Sequence, residues 1–193
     1  MPSEPTILAF DTSAAHCAAA LLHAGRVLTR VDDMGRGQAE HLMPMLEEML
    51  AGAGLGWRDL DGIGVGVGPG NFTGIRISVA AARGLALGLT RPASGVSLFE
   101  TTQALSGQAR VAVPAPRGQV YLCDAGAAPV LAGAEDVEAA LSSDHPPADH
   151  VACIARIAAA RLASGQGITP PAPLYVRPAD AAPSRDAPPV MLD

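Results

Sequence analysis

The N-terminal third of the chain alternates short apolar runs with turn residues. Thr6 to Phe10 is a short apolar run, and Cys17 to Leu22 and Val27 to Val31 follow it with a turn at Ala24-Gly25 between them. Runs of this length, bounded by small and polar residues, are typical of β-strands. Ile63 to Val67 alternates β-branched residues with glycine and predicts a fourth strand. The pattern therefore predicts three consecutive strands, the last two joined in a hairpin, and a fourth strand further along the chain.

Two longer segments have the spacing of helices. From Gln38 to Ala53, apolar residues form a band wider than one core-facing stripe, and glutamates occupy the remainder. Ile75 to Leu89 is apolar on nearly every side, although Ala80, Gly84 and Gly88 leave a groove without large side chains. Each interior glycine destabilises a helix by about 1 kcal/mol relative to alanine. Its presence therefore indicates that another structural element packs closely against the helix at that position. Strands that alternate with such helices predict an α/β protein.

The groove in the second helix has two explanations. The small residues pack on the sheet, or they accept a helix from a partner protein. A separate stripe that includes Ile75, Val79 and Ala82 already faces the sheet, so we favour the partner. The residues predicted at this interface are Met43, Met45, Met49, Arg76, Ala80, Arg83, Gly84, Leu87 and Gly88.

The second half of the chain is less regular. The pattern predicts a strand at Ser94 to Val96, a hairpin of Arg110 to Val113 with Gln119 to Cys123, and helices at Leu98 to Leu105, Glu135 to Leu141 and Val151 to Ala163. Residues 1–105 are predicted to form one lobe with the partner-binding helices, and residues 106–178 a reduced second lobe. Residues 179–193 are rich in proline and alanine, which predicts an extended or disordered tail.

The loop between the fourth strand and the second helix is the first candidate site. Its residues are Gly68, Pro69, Gly70, Asn71, Phe72, Thr73 and Gly74. A glycine-rich turn at a helix N-terminus points free backbone N–H groups at one place, which suits an anion. The same glycines also permit a tight turn with close helix–sheet packing. Both explanations remain open from the sequence.

The second candidate site is Asp11-Thr12-Ser13, directly after the first strand. An aspartate at the end of a strand could organise metal-bound water, and it can equally cap its own turn. No second acid or adenosine-binding motif accompanies Asp11, so we favour the capping role. The sequence therefore predicts no catalytic residue on this chain.

Charge and residue spacing argue against several classes of site. The formal net charge is −6 and the chain contains no lysine, so we expect neither a P-loop nor direct clasping of nucleic acid. Cys17, Cys123 and Cys153 lack the C-x-x-C spacing of a zinc site and are expected to be buried thiols. His145 and His150 lie in a Pro/Asp-rich connection, where solvated surface positions are expected. No metal site is predicted.

Three motifs together resemble the bacterial TsaB (YeaZ) family. They are ILAFDTS at Ile7 to Ser13, GPGNFTGIR at Gly68 to Arg76, and PLYVRP at Pro173 to Pro178. The resemblance implies an actin-like or hexokinase-like ATPase fold built from ribonuclease H-like lobes, the second of them reduced. Members usually carry Asp-Ala-Arg-Arg where this chain has Pro114 to Arg117, so the role of that string is expected to be weak or absent here.

The resemblance also implies a function. It is that of a non-catalytic subunit in forming threonylcarbamoyladenosine beside the anticodon of tRNA. The implied partner is a TsaD-type catalytic subunit, which would hold the ATP and the metal. A TsaE-type ATPase is a further expected partner, and tRNA would be contacted only through the complex. Self-association through the same helices stays open when the partner is absent.

The alternative is a stand-alone enzyme of the same fold, either a nucleotide-dependent phosphotransferase or a metallopeptidase-like protein. Such an enzyme would bind nucleotide or metal by itself, whereas a scaffold subunit would act only with its partner. The first residues lack the basic region of a signal peptide, and Arg76 and Arg83 interrupt the most apolar segment. We therefore expect a cytoplasmic protein that does not associate with membranes.

Overall fold

The main body of the protein is a five-stranded sheet with strand order β3-β2-β1-β4-β5. The computed structural model describes residues 4–135, 137–165 and 169–176. The strands are β1 (Ile7–Asp11), β2 (His16–His23), β3 (Arg26–Asp33), β4 (Gly62–Gly66) and β5 (Ala93–Val96). β1 to β3 pair antiparallel, while β4 pairs parallel with β1 and β5. This is the ribonuclease H-like lobe of the actin-like fold, which confirms the predicted fold class.

Helices cover both faces of this sheet. α1 (Gln38–Gly52) and α2 (Phe72–Leu89) lie on one face and α4 (Pro147–Ser164) lies on the other. α3 (Leu98–Ser106) packs beside α4 and the second sheet, which is described below. Side chains alternate between the faces of a strand, so Leu8 and Phe10 of β1 pack towards α1 and α2, whereas Ile7 and Ala9 pack towards α4. The result is a three-layer α/β/α lobe with two hydrophobic clusters.

Helix α4 lies unusually close to the sheet because β4 carries glycine on that face. A Cβ at Gly64 would lie 3.0 Å from Ile154 Cγ2 and 3.2 Å from Ala158 Cβ. On the other face of the strand, Ile63 and Val65 pack among α1 and α2. Helix α4 follows residue 105 in the sequence, but it packs on the sheet of the first lobe. The predicted boundary between the lobes, at residues 105 and 106, stays a prediction.

The second sheet is small, with strand order β8-β7-β6-β9. Its strands are β6 (Arg110–Ala115), β7 (Gln119–Asp124), β8 (Val130–Gly133) and β9 (Ala140–Leu141). Phe99 of α3 packs on it with Val111 and Val113. The prediction of a helix at Glu135 to Leu141 is wrong, because Ala140 and Leu141 pair with β6 instead. A helix that short is marginal, and the β6 edge provides backbone hydrogen-bond partners. The predicted tail, 179–193, lies outside the described residues.

Helix α2 is exposed on one side although it is strongly apolar. Of the helices that the structure describes, α2 alone is long and apolar enough to cross a membrane, by length and composition. Its Ile75, Val79 and Ala82 are buried against the sheet, as expected of a core helix. The opposite side of the helix, which includes Ala80, Gly84 and Leu87, is exposed.

Candidate functional site

The turn after β1 is organised by its own side chains. The Asp11 carboxylate accepts a hydrogen bond from Ser13 N at 3.1 Å and another from Ser13 Oγ at 2.7 Å. His16 Nε2 lies 3.8 Å from Asp11 Oδ2. These are the contacts of the capping role that the sequence favours. A role for Asp11, Thr12 or Ser13 in nucleotide binding stays a prediction.

The glycine-rich loop packs directly on this turn. Thr12 Oγ1 donates a hydrogen bond to the Gly74 carbonyl oxygen at 2.7 Å, and Asn71 N donates to the Ser13 carbonyl oxygen at 2.6 Å. A Cβ at Gly74 would overlap the Thr12 carbonyl oxygen, and one at Gly70 would lie 2.5 Å from the Ser13 carbonyl oxygen. Close packing therefore accounts for Gly70 and Gly74, and anion binding by the loop stays a prediction.

Helix α2 begins at Phe72, three residues before its predicted start. The Asn71 side chain accepts a hydrogen bond from Gly74 N at 2.9 Å and caps the helix. Gly68 and Pro69 are buried, and Gly68 has a φ of +93° that favours glycine. Residues 70–73 are exposed, so the loop presents its outer half at the surface.

A cleft of about 320 Å³ lies between the β1 turn and the start of α4. Polar residues that line it include Asp11, Ser13, His16, Ser142, His145 and His150. The prediction of a solvated His150 is wrong, because its ring is buried between Thr101 Oγ1, 2.8 Å from Nδ1, and the Ser142 carbonyl oxygen, 2.9 Å from Nε2. Burial lowers the pKa of the His150 imidazole. Within the described ranges, no group of three His, Cys, Asp or Glu residues is placed to hold a metal ion.

The outward face of α2 is the largest uncovered part of the predicted interface. Its exposed residues are Arg76, Ala80, Arg83, Gly84, Leu87 and Gly88. Leu87 is 84% exposed, and apart from the adjacent backbone of the helix itself no atom lies within 4 Å of a Cβ built at Gly84 or Gly88. The small residues are thus not used to pack on the sheet. This favours the partner explanation, and the partner contact itself stays a prediction.

Grooves run along both sides of this face. One, of about 540 Å³, lies towards α1 and includes Met43, Trp57 and Gly88. The other, of about 530 Å³, is lined by Arg83, Leu87, Arg91, Pro170 and other residues, and Gly84 lines both grooves. Together they make a broad, largely apolar surface with glycine at its centre.

The methionines of α1 divide between core and surface. Met43 and Met49 are half-buried, and Met43 lines the groove between α1 and α2. Their place at a partner interface stays a prediction. Met45 is 1% exposed and belongs to the core under the sheet. Its predicted place at the interface is therefore wrong, because the helix turns that side chain inwards.

One surface cluster joins two distant parts of the chain. The Arg76 guanidinium lies 3.7 Å from the centre of the Phe72 ring, and Arg76 Nε donates a hydrogen bond to Tyr175 Oη at 2.9 Å. The two rings are 5.1 Å apart, and Phe72 and Tyr175 remain 42% and 39% exposed. The sequence indicated both motifs but no role for Tyr175, since nothing local places it beside α2.

Comparison with known proteins identifies the family. The family model described as "TsaD: tRNA N6-adenosine threonylcarbamoyltransferase" matches residues 33–169. The "tRNA threonylcarbamoyladenosine biosynthesis protein TsaB" of Haemophilus influenzae is 37% identical over 93 residues, which are 48% of this chain and 39% of that protein. The protein of the same name from Escherichia coli is 36% identical over 121 residues, 60% of this chain and 52% of that one. The matched segments thus span about half the length of these relatives or less.

A solved structure extends the likeness over almost the whole chain. "YeaZ from Pseudomonas aeruginosa" has a TM-score of 0.72 and 29% sequence identity, and the match covers 89% of this chain and 99% of that one. The match therefore extends well beyond the share of the chain that the Haemophilus influenzae and Escherichia coli relatives match. The chain matches the TsaD family model over most of its length and belongs to the TsaB (YeaZ) family.

Proposed function

We propose that this chain is a non-catalytic subunit in the formation of threonylcarbamoyladenosine in tRNA, and that it binds a TsaD-type catalytic subunit through the outward face of α2. The observation that carries the proposal is this face, in which Ala80, Gly84 and Gly88 form an open strip on a helix of a TsaB-family protein. Small residues at spacing four allow two helix backbones to approach closely. A partner helix would then cover the apolar surface that the chain leaves exposed.

The partner would supply the chemistry. Asp11 is engaged by Ser13, and the described residues offer no set of metal ligands, so this chain is better suited to a structural role than to catalysis. The ATP and the metal would be held by the TsaD-type subunit, a TsaE-type ATPase would join the pair, and tRNA would bind through the complex. In the absence of the partner, a second copy of the chain would bind the same face and form a homodimer. All of this would take place in the cytoplasm, where tRNA is modified.

A leucine wedge tests the proposal. Gly84→Leu places a large side chain in the middle of the outward face, whereas Ala160→Leu adds the same side chain at an exposed position of α4, on the other side of the sheet. Close-packed central positions dominate interface energies, so Gly84→Leu is expected to cost at least about 2 kcal/mol of binding, roughly 30-fold in Kd. Ala160→Leu is expected to bind as the wild type does.

Binding is measured by calorimetry with the purified TsaD-type subunit, and function by threonylcarbamoylation of tRNA in a reconstituted mixture. Loss of both with Gly84→Leu, in a protein that still melts normally, supports the proposal. Normal binding by Gly84→Leu shows that this face is not the interface. Threonylcarbamoylation or ATP hydrolysis by the wild-type chain alone would favour the stand-alone enzyme instead.

A further inference from the structure

The cluster of Phe72, Arg76 and Tyr175 is not explained by packing. Two of its members are aromatic residues, of which the chain has only six, and both stay substantially exposed. Phe72 and Arg76 belong to the motif that opens α2, while Tyr175 comes from the C-terminal segment, 99 residues after Arg76. The fold therefore brings two separate motifs to one point on the surface.

The geometry of the cluster holds Arg76 in one orientation. The guanidinium carbon lies over the Phe72 ring, and Tyr175 Oη accepts the hydrogen bond from Nε. No described residue accepts a hydrogen bond from either Nη group of Arg76 or forms an ion pair with it. An arginine held this way keeps its two outer donors ready for a flat, two-oxygen acceptor and loses little side-chain entropy on binding.

The charge around the cluster indicates what that acceptor belongs to. α2 contains two arginines and no acidic residue, in a chain whose formal net charge is −6. Arg76 lies at the start of the row that continues through Ala80, Arg83 and Leu87, at spacings of four, three and four. That spacing is the one by which helices pack side by side. The site is thus one end of a largely apolar face shaped for protein, and two arginines in a chain of net charge −6 give little attraction to a nucleic acid backbone.

We propose that Arg76, positioned by Phe72 and Tyr175, receives an Asp or Glu carboxylate of the protein that docks on the outward face of α2. The carboxylate would accept two hydrogen bonds from the free guanidinium edge while the two aromatic rings become covered. Arginine and tyrosine are enriched among the residues that dominate interface energies. This inference rests on the proposed function, since the carboxylate is carried by the same partner.

Three substitutions test the site in the full chain. Arg76→Lys keeps the charge and removes the fork and the stacking, Tyr175→Phe keeps the ring and removes the acceptor of Nε, and Arg156→Lys repeats the first change at an exposed position of α4. Because the cluster lies at the surface, all three are expected to melt close to the wild type. Calorimetry with the TsaD-type subunit is expected to show about tenfold weaker binding for Arg76→Lys, a smaller loss for Tyr175→Phe, and none for Arg156→Lys.

The outcomes separate this inference from the proposal on which it rests. If the wild type binds, Gly84→Leu does not and Arg76→Lys binds normally, the face is the interface and the carboxylate site is wrong. If Arg76→Lys pairs normally but the assembled pair binds tRNA more weakly in a gel-shift titration, the acceptor is an RNA phosphate and the inference is overturned. If the wild type does not bind the TsaD-type subunit, the proposed function fails first.

Discussion

Two glycines in the same helix are expected to respond in opposite ways to the same substitution. Gly74 lies in the first turn of α2, where a Cβ would overlap the Thr12 carbonyl oxygen and lie 3.3 Å from Ser13 Cα. Gly84 lies ten residues later, and a Cβ there meets nothing within 4 Å. Alanine at both positions therefore adds one methyl group in two different environments.

The expected magnitudes follow from these contacts. Gly84→Ala removes a helix-propensity penalty and should raise the free energy of unfolding by about 1 kcal/mol. Gly74→Ala forces the loop away from the β1 turn, for which overpacking costs about 1–3 kcal/mol. It also strains the buried hydrogen bond from Thr12 Oγ1 to the Gly74 carbonyl, which contributes about 1 kcal/mol. The two variants should thus differ by about 3–5 kcal/mol.

Urea unfolding followed by circular dichroism measures both free energies, and thermal melting gives a second reading. At about 2–4 °C per kcal/mol for a domain of this size, the Gly84→Ala midpoint should rise by a few degrees and that of Gly74→Ala should fall by about 4–16 °C. A Gly74→Ala variant as stable as the wild type would refute the claim that the loop and the turn pack backbone against backbone. An unstable Gly84→Ala would show that the outward face is not open.

Three further outcomes are expected. Burial raises the pKa of Cys17 to about 11 and also raises the pKa values of Cys123 and Cys153. A thiol reagent at pH 8 should therefore label the native protein far more slowly than the urea-unfolded protein. Rapid labelling of the native protein would contradict this expectation. Burial lowers the pKa of His150, so its contribution to stability is present above the unfolded pKa of about 6.5 and is lost as the pH falls below it. His150→Gln should accordingly flatten the dependence of unfolding free energy on pH between about 7 and 5, and an unchanged slope would count against the buried neutral imidazole. Asp11→Ala should lower the free energy of unfolding by about 1 kcal/mol, because the hydrogen bonds that cap the turn are lost. Calorimetry with Mg-ATP should show no micromolar binding by the wild type. Micromolar binding that Asp11→Ala abolishes would overturn the non-catalytic proposal.

The sequence determined the elements of the first lobe and the family. Its five strands and the two helices α1 and α2 come from local periodicity, and periodicity is a direct consequence of burying one face of each element. The two N-terminal motifs could also be placed from local patterns, because Asp11-Thr12-Ser13 directly follows a predicted strand and Gly68 to Gly74 directly precedes a predicted helix. The alternate glycines of β4 and the helix at Val151 to Ala163 were both predicted from the sequence, but the contact between them was not.

The tertiary structure decided what covers each surface. α4 packs on the glycine face of β4, β9 completes the second sheet where a helix was predicted, and His150 is buried between segments that the sequence places apart. In α1, periodicity gave a wide apolar band, but only packing shows that Met45 faces the core while Met43 stays near the surface. Likewise, Arg76 and Tyr175 meet only because the C-terminal segment crosses the start of α2. A local sequence pattern indicates that a side chain is buried. Which residues it packs against depends on contacts between segments that are distant in the chain, and a local pattern does not contain that information.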